Sequence, residues 1–407
     1  MKRVVITGLG IHSCIGDNLT EVCRSLFMGK SGIGLDQARL EYGYRSHLVG
    51  MVKDVELKGV LERRKRITFS EEAAFAYMAT EQALTDAGID SDWLARNEVG
   101  IIYGNDSSAK ATIEAHNTIV ETKETTAVGA GAVFQSMNSS VTMNLATIYG
   151  LRGINMTISA ACASGSHAIG LGHLYIRHGL QNMIICGGAQ ETHYYGQASF
   201  DALNAFSVRT DEPHKASRPF DASRDGLVPS GGAATLILEE LEHAKKRGAK
   251  IYGEIIGYGF SSNAGNISQP SSQGCENAIS RAMMDAGIMK KEISYINAHA
   301  TSTIQGDMCE AIALTNIFQD YNTPVSSTKS MTGHECWMAG ASEVLYTLLM
   351  MQHSFIAPNI NFETPDEYSE KLNIVPVAIE KKLDVCLSNS FGFGGTNSAL
   401  IFRKSII

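Results

Sequence analysis

The stretch Asn155-Met156-Thr157-Ile158-Ser159-Ala160-Ala161-Cys162-Ala163-Ser164-Gly165-Ser166 decides how the rest of the chain is read. Asn155 to Ile158 reads as a short buried strand, and from Cys162 onward Ile169, Leu171, Leu174 and Ile176 recur at helical spacing. Cys162 therefore stands where a strand hands over to a helix. A thiol there lies near the positive end of the helix dipole and beside unpaired N–H groups, which favours the thiolate. Its small neighbours Ala160, Ala161, Ala163, Ser164 and Gly165 leave room for a second backbone or a substrate. The stretch by itself fits two readings, a nucleophile elbow built on sulfur or one more buried cysteine.

Moving outward, the pattern is one of apolar strands alternating with helices, which indicates a parallel or mixed sheet covered on both faces. Strands are expected at Val4–Thr7, Val99–Gly104, Met183–Gly188 and Ala234–Glu239, with helices over 19–28 and 73–87. After Lys245-Lys246-Arg247-Gly248 the pattern begins again. It runs through strands at 252–259, 295–299, 324–328, 385–388 and 399–402 and helices at 277–286 and 307–318. We read this as an internal duplication, with one half over 1–248 and the other over 249–407, and with catalytic groups meeting between them.

Bulk properties narrow the classes. The 407 residues carry a net charge of −8, which argues against a nucleic-acid binder while leaving room for a local basic patch such as Arg63-Arg64-Lys65-Arg66. The eight cysteines have no CxxC pair, so neither structural zinc nor a disulfide framework is indicated, and a reducing, cytoplasmic setting fits. No apolar run is long enough to cross a bilayer, and the N-terminal Met1 to Ile6 is too short for a signal peptide core. Gly8, Gly10 and Gly16 follow a strand but at the wrong offsets for a dinucleotide fingerprint.

Two histidines follow strands in the second half, in His299-Ala300-Thr301-Ser302-Thr303 and in Lys329-Ser330-Met331-Thr332-Gly333-His334. Strand ends are where α/β proteins place ligand-binding residues. The loop Asn389-Ser390-Phe391-Gly392-Phe393-Gly394-Gly395-Thr396-Asn397 is either a tight turn or a loop whose N–H groups face an oxyanion.

Taken together, the segments around Val4–Gly10, Ser159–Gly165, Arg218–Asp221 with Arg224–Gly226, His299, Ser327–Lys329, His334 and Asn389–Asn397 resemble the β-ketoacyl-[acyl carrier protein] synthases of the type I/II group in the thiolase superfamily. The resemblance covers essentially the whole chain. It implies a thiolase-like duplicated fold in α-β-α-β-α layers and a homodimer, or a heterodimer with a chain-length partner. It also implies decarboxylative condensation of malonyl-carrier protein with an acyl chain held on Cys162, with no cofactor beyond the phosphopantetheine arm of the acyl carrier protein and no metal. In it Cys162 is the nucleophile, His299 and His334 stabilise the enolate as neutral imidazoles, and Lys329 acts electrostatically with Glu310 as its salt-bridge partner. The backbone N–H groups of Cys162 and Phe393 form the oxyanion hole, Phe391 is the gating aromatic, and Thr301 and Thr303 bind the pantetheine arm. Arg63, Arg64, Lys65 and Arg66 dock the acidic carrier.

The chain departs from the family pattern at Ala300, at the polar loop Asn105–Ser108, and above all at Glu335, Cys336 and Trp337, where small residues are usual after the histidine. These changes leave the reaction intact and the acyl substrate open between ordinary fatty-acid elongation and a specialised polyene-type pathway. Two other classes are set against this reading. A thiolase would carry a second cysteine near the C-terminal glycine loop, and a non-catalytic chain-length subunit would lack the nucleophile.

Overall fold

The structure, a computed structural model, describes residues 1–404. Ten strands carry the architecture: β1 (Val4–Ser13), β2 (Gly100–Gly104), β3 (Asn155–Ile158), β4 (Met183–Gln190), β5 (Gly232–Glu240), β6 (Gly253–Ser262), β7 (Tyr295–Asn297), β8 (Pro324–Ser326), β9 (Val385–Phe391) and β10 (Thr396–Lys404). The first five run in the order β1-β5-β4-β2-β3 and the second five in the order β6-β10-β9-β7-β8. In both halves the first two pairings are antiparallel and the last two parallel. The halves meet where β1 pairs with β6 over Val4 to Ile6.

Alternation of side chains along each strand then generates the layers. Ile102, Ile184 and Leu236 face one core while their neighbours Ile101, Ile185 and Ile237 face another. In the second half Tyr295, Cys386 and Leu400 face the first of these cores, and Ile296, Leu387 and Ile401 face a third. Helices α1 (Glu71–Asp86), α2 (Ser164–Arg177), α3 (Ser272–Ala286), α4 (Ile304–Phe318) and α5 (Ala339–His353) cover these faces. Helices α2 and α5 lie between the halves, α1 covers the outside of the first half, and α3 and α4 cover the outside of the second. The result is the five-layer α-β-α-β-α fold.

The duplication extends to single glycines. A Cβ on Gly10 of β1 would lie 1.9 Å from the Ala79 carbonyl of α1, and one on Gly259 of β6 would lie 2.1 Å from the Ala278 carbonyl of α3. Gly8 and Gly257 repeat the relation against Ala83 and Ala282. The strand that opens each half thus presses bare backbone against an alanine-lined helix.

One expectation fails here. Strand β3 is not buried: Asn155 and Met156 are exposed, because β3 is the edge of the sheet and lacks a neighbour on one side. Within the described residues no helix is long and apolar enough to cross a membrane.

The close approach gives a stability test. Gly10→Ala and Gly259→Ala are each expected to cost more than about 2 kcal/mol by forcing strand from helix. Gly265→Ala, whose nearest neighbour would be 3.8 Å away, should be close to neutral, and urea unfolding reads all three.

Candidate active site

The backbone turns sharply at the end of β3. Ala161 has φ of 46°, in the left-handed region, and its N–H is held by the Asp106 carboxylate at 3.0 Å. Ser164 braces the same turn, its hydroxyl accepting from the Ala160 N–H at 2.9 Å and donating to the Ala161 carbonyl at 2.7 Å. Cys162 sits in the tight turn Ala161–Ala163 that leads into α2, so the elbow expected from the sequence is present. Its stored strain is typical of residues held at a working site. The polar loop Asn105–Ser108 supplies Asp106, whose role in the elbow no spacing in the sequence signalled.

Three elements converge on the sulfur. His299 follows β7, and His334 is tied across to the first half by its N–H to the Val228 carbonyl at 2.7 Å and its carbonyl to the Ser230 N–H at 2.9 Å. Cys162 Sγ and one ring nitrogen of each histidine lie within 4.8 Å of one another, all three residues buried. The two imidazoles cross at 84° with centroids 5.4 Å apart, and the Phe391 ring meets His299 edge-on at 5.9 Å. A cavity of about 510 Å³ opens onto Cys162, His299, His334, Phe391 and Phe393, and onto Thr301 and Thr303, whose hydroxyls are 2.9 Å apart.

Burial sets the electrostatics. Desolvation, with the Lys329 ammonium nearby, holds both imidazoles well below their ordinary pKa of 6.5, so both are neutral. The Cys336 N–H donates to His334 Nδ1 at 3.2 Å. That fixes the proton on Nε2, which is buried without a partner and free to donate. The same tautomer opposes metal ligation by the Cys162, His299 and His334 cluster, since a metal on Nε2 would push the proton to Nδ1, against the Cys336 N–H.

The thiolate expected from the helix dipole is not the resting form. Burial pushes the Cys162 thiol up to about 11, outweighing Lys329 and the backbone N–H groups of Phe393 and Cys162, all of which favour the anion. The backbone N–H groups of Phe393 and Cys162 both lie close enough to the sulfur to favour its anion.

The partner of Lys329 also differs from expectation. Its ammonium pairs with Glu343 on α5, both side chains about 1% exposed, and not with Glu310. Glu310 is already saturated: it accepts from the His299 N–H at 3.0 Å, the Ala300 N–H at 2.7 Å and Asn389 Nδ2 at 2.9 Å. It shapes the histidine turn, and Glu343 reaches the lysine because α5 lies beneath it. Nothing in the spacing of the sequence distinguishes Glu343 from other helical acids. Arg63, Arg64, Lys65 and Arg66 form a short helix outside the cavity, and none of the four is in an ion pair among the described residues. Arg218 and Arg224 lie in a loop, and Arg224 donates to the Thr303 and Ile304 carbonyls at 3.2 and 2.9 Å, clamping the end of the histidine turn.

Fold and site together define an acyl-transferring enzyme of thiolase-like architecture with a buried thiol at its cavity. The family models for the beta-ketoacyl synthase N-terminal and C-terminal domains match residues 1–244 and 252–363, and the chain belongs to the beta-ketoacyl synthase family. It is 44% identical to 3-oxoacyl-[acyl-carrier-protein] synthase 1 of Haemophilus influenzae and 41% identical to that of Escherichia coli, over 99% of each chain. A crystal structure of a beta-ketoacyl synthase from Burkholderia phymatum matches with a TM-score of 0.94 at 36% identity, covering 100% of both chains.

Two tests follow from the electrostatics. Glu343→Ala leaves the Lys329 charge buried and unpaired, with an expected loss of about 3–5 kcal/mol in urea unfolding. The histidines, depressed when folded, take up protons on unfolding, so their contribution to stability is full above 6.5 and is lost as pH falls below it. Replacing both by Asn should flatten the loss of stability between roughly pH 6.5 and 5, by up to about 1.4 kcal/mol per pH unit for each histidine.

Proposed function

We propose that the chain elongates acyl chains by decarboxylative condensation with malonyl-acyl carrier protein, and that Cys162, His299 and His334 carry the reaction. The observation that carries the reading is the convergence of one buried thiol and two neutral imidazoles within 4.8 Å, at the wall of a cavity open to Thr301 and Thr303.

In the first step the Cys162 sulfur attacks the acyl thioester, and the proton of the thiol leaves with the departing pantetheine sulfur. The N–H groups of Cys162 and Phe393 receive the oxyanion of the tetrahedral intermediate. In the second step the malonyl group loses carbon dioxide and the electron pair of the broken bond becomes an enolate. Its oxygen accepts from His334 Nε2–H and from His299; a neutral imidazole suits this because it still carries one ring N–H to donate. The carbanion attacks the acyl-Cys162 carbonyl, the carbon–sulfur bond breaks, and Cys162 leaves as a thiolate that takes a proton before the next cycle. Lys329 stabilises that thiolate through space and transfers no proton, being paired with Glu343. Thr301 and Thr303 hydrogen-bond the pantetheine arm, Phe391 gates access, and no resident cofactor is needed.

The substrates arrive on acyl carrier protein, a partner also carried in the names of the relatives. The exposed Arg63, Arg64 and Lys65, with the half-buried Arg66, offer an acidic carrier its docking charge. Two copies pair along β3, whose unpaired edge exposes Met156 at 42%. A cytoplasmic setting agrees with eight free cysteines.

Mass spectrometry after incubation with acyl-carrier protein tests the reading. One acyl group is expected on Cys162 and none in Cys162→Ala; an unmodified Cys162 would leave a non-catalytic subunit as the better description. The acylation rate should fall steeply with added salt if residues 63–66 steer the carrier, and light scattering on the same sample should give twice the chain mass.

A further inference from the structure

The turn that carries the nucleophile is held by a carboxylate that the reaction as described does not use. Asp106 accepts from the Ala161 N–H at 3.0 Å, and Ala161, directly before Cys162, has φ of 46°. A residue with a Cβ takes that conformation only when its surroundings impose it. The loop that carries Asp106 is itself fixed. The Asn105 N–H donates to the Ile158 carbonyl at 3.1 Å, Ser159 Oγ donates to the Asn105 carbonyl at 3.0 Å, and Asn138 Nδ2 donates to the Asp106 carbonyl at 3.1 Å. Two residues before Asp106, Gly104 presses on the start of α2, where a Cβ would lie 2.5 Å from the Gly165 nitrogen. The carboxylate is a fixed strut between the end of β2 and the elbow.

Both oxyanion donors depend on the residue this strut holds. Cys162, which supplies one N–H, follows Ala161 directly. The other belongs to Phe393, and the preceding Gly392 packs on the same turn: a Cβ there would lie 3.0 Å from the Ala160 carbonyl and 3.3 Å from Ala161 Cβ. Relaxation of Ala161 to an ordinary φ would rotate the Cys162 peptide and break the fit with Gly392. A carboxylate binds a backbone N–H about twice as strongly as a neutral acceptor does, which suits it to holding a disfavoured turn. The same charge works against the nucleophile, since Asp106 pushes the Cys162 thiol up where Lys329 draws it down. We infer that Asp106 is a positioning residue for acyl transfer, whose charge-assisted bond to the Ala161 N–H locks the turn that sets both oxyanion donors. This rests on the condensing-enzyme reading and adds a residue to that same site.

Single-turnover acylation of Cys162 by acyl-carrier protein, set beside its alkylation by iodoacetamide at pH 8, tests it; both are read at Cys162 by peptide mass. Alkylation needs the thiol but no oxyanion hole. Asp106→Ala is expected to acylate about ten- to a hundredfold more slowly than the native protein, the range that a displaced donor costs. Its alkylation should be about two- to threefold faster, because a negative charge beside the thiol has gone. Asp106→Asn keeps an acceptor without the charge and should lose about three- to tenfold in acylation. Glycine takes the left-handed conformation freely, so in an Ala161→Gly background Asp106→Ala should cost about threefold or less. Unchanged acylation in either Asp106 variant, equal slowing of acylation and alkylation, or an undiminished loss in the Ala161→Gly background overturns the inference. Should Asp106→Ala fail to fold, Asp106→Asn decides on the same two rates. If native Cys162 is acylated and the variants match it only the inference falls, whereas no acylation of native Cys162 removes the condensing reading itself.

Discussion

Everything in the site depends on how closely two helices approach at the centre of the molecule. Helix α2 begins just after Cys162 and α5 just after His334, and they pass with almost no side chain between them. A Cβ on Gly165 would stand 2.9 Å from the Ala341 nitrogen, and one on Gly340 would stand 2.5 Å from the Ser166 nitrogen. Gly104 and Gly188 of the first sheet press on the same junction, against Gly165 and the backbone of Trp337 and Met338. These absences of side chain draw sulfur and imidazole into reach, and larger residues would separate the halves where chemistry has to occur.

The same closeness excludes water, and the electrostatics follow from that. In a dry pocket the imidazoles stay neutral, the thiol keeps its proton, and a single ammonium is tolerable only with a carboxylate against it. Lys329 and Glu343 meet that condition, while Glu310 is consumed in holding the His299 turn. A further buried acid, Glu335, is pushed up to about 7 by desolvation, so it adds little negative charge to the centre of the molecule below neutrality. Glu335 is accommodated by hydroxyls of Ser342 and Tyr346 and does not point its charge at His334.

Much of this was legible in the sequence, because it is local. Strand and helix periodicity, the cysteine at a strand-to-helix turn and histidines after strands all depend on residues a few positions apart. What was misread depends on distance in space. The burial of β3 was overestimated because apolar character does not reveal which strand lies at an edge. The thiolate was overestimated because a helix terminus is visible in the sequence and the desolvation that outweighs it is not. Glu310 was assigned to Lys329 because the two belong to one constellation, but the three donors around Glu310 come from segments up to 90 positions apart.

The sequence by itself determined a duplicated α/β chain with a sulfur nucleophile and two histidines, since composition, period and motif are properties of neighbours along the chain. Only the tertiary structure decided which carboxylate pairs with Lys329, which nitrogen of His334 holds its proton, and that Asp106 holds the turn before the nucleophile. Each of these is settled by what lies across a gap of a few ångströms between segments far apart in the chain, and by the removal of water from that gap.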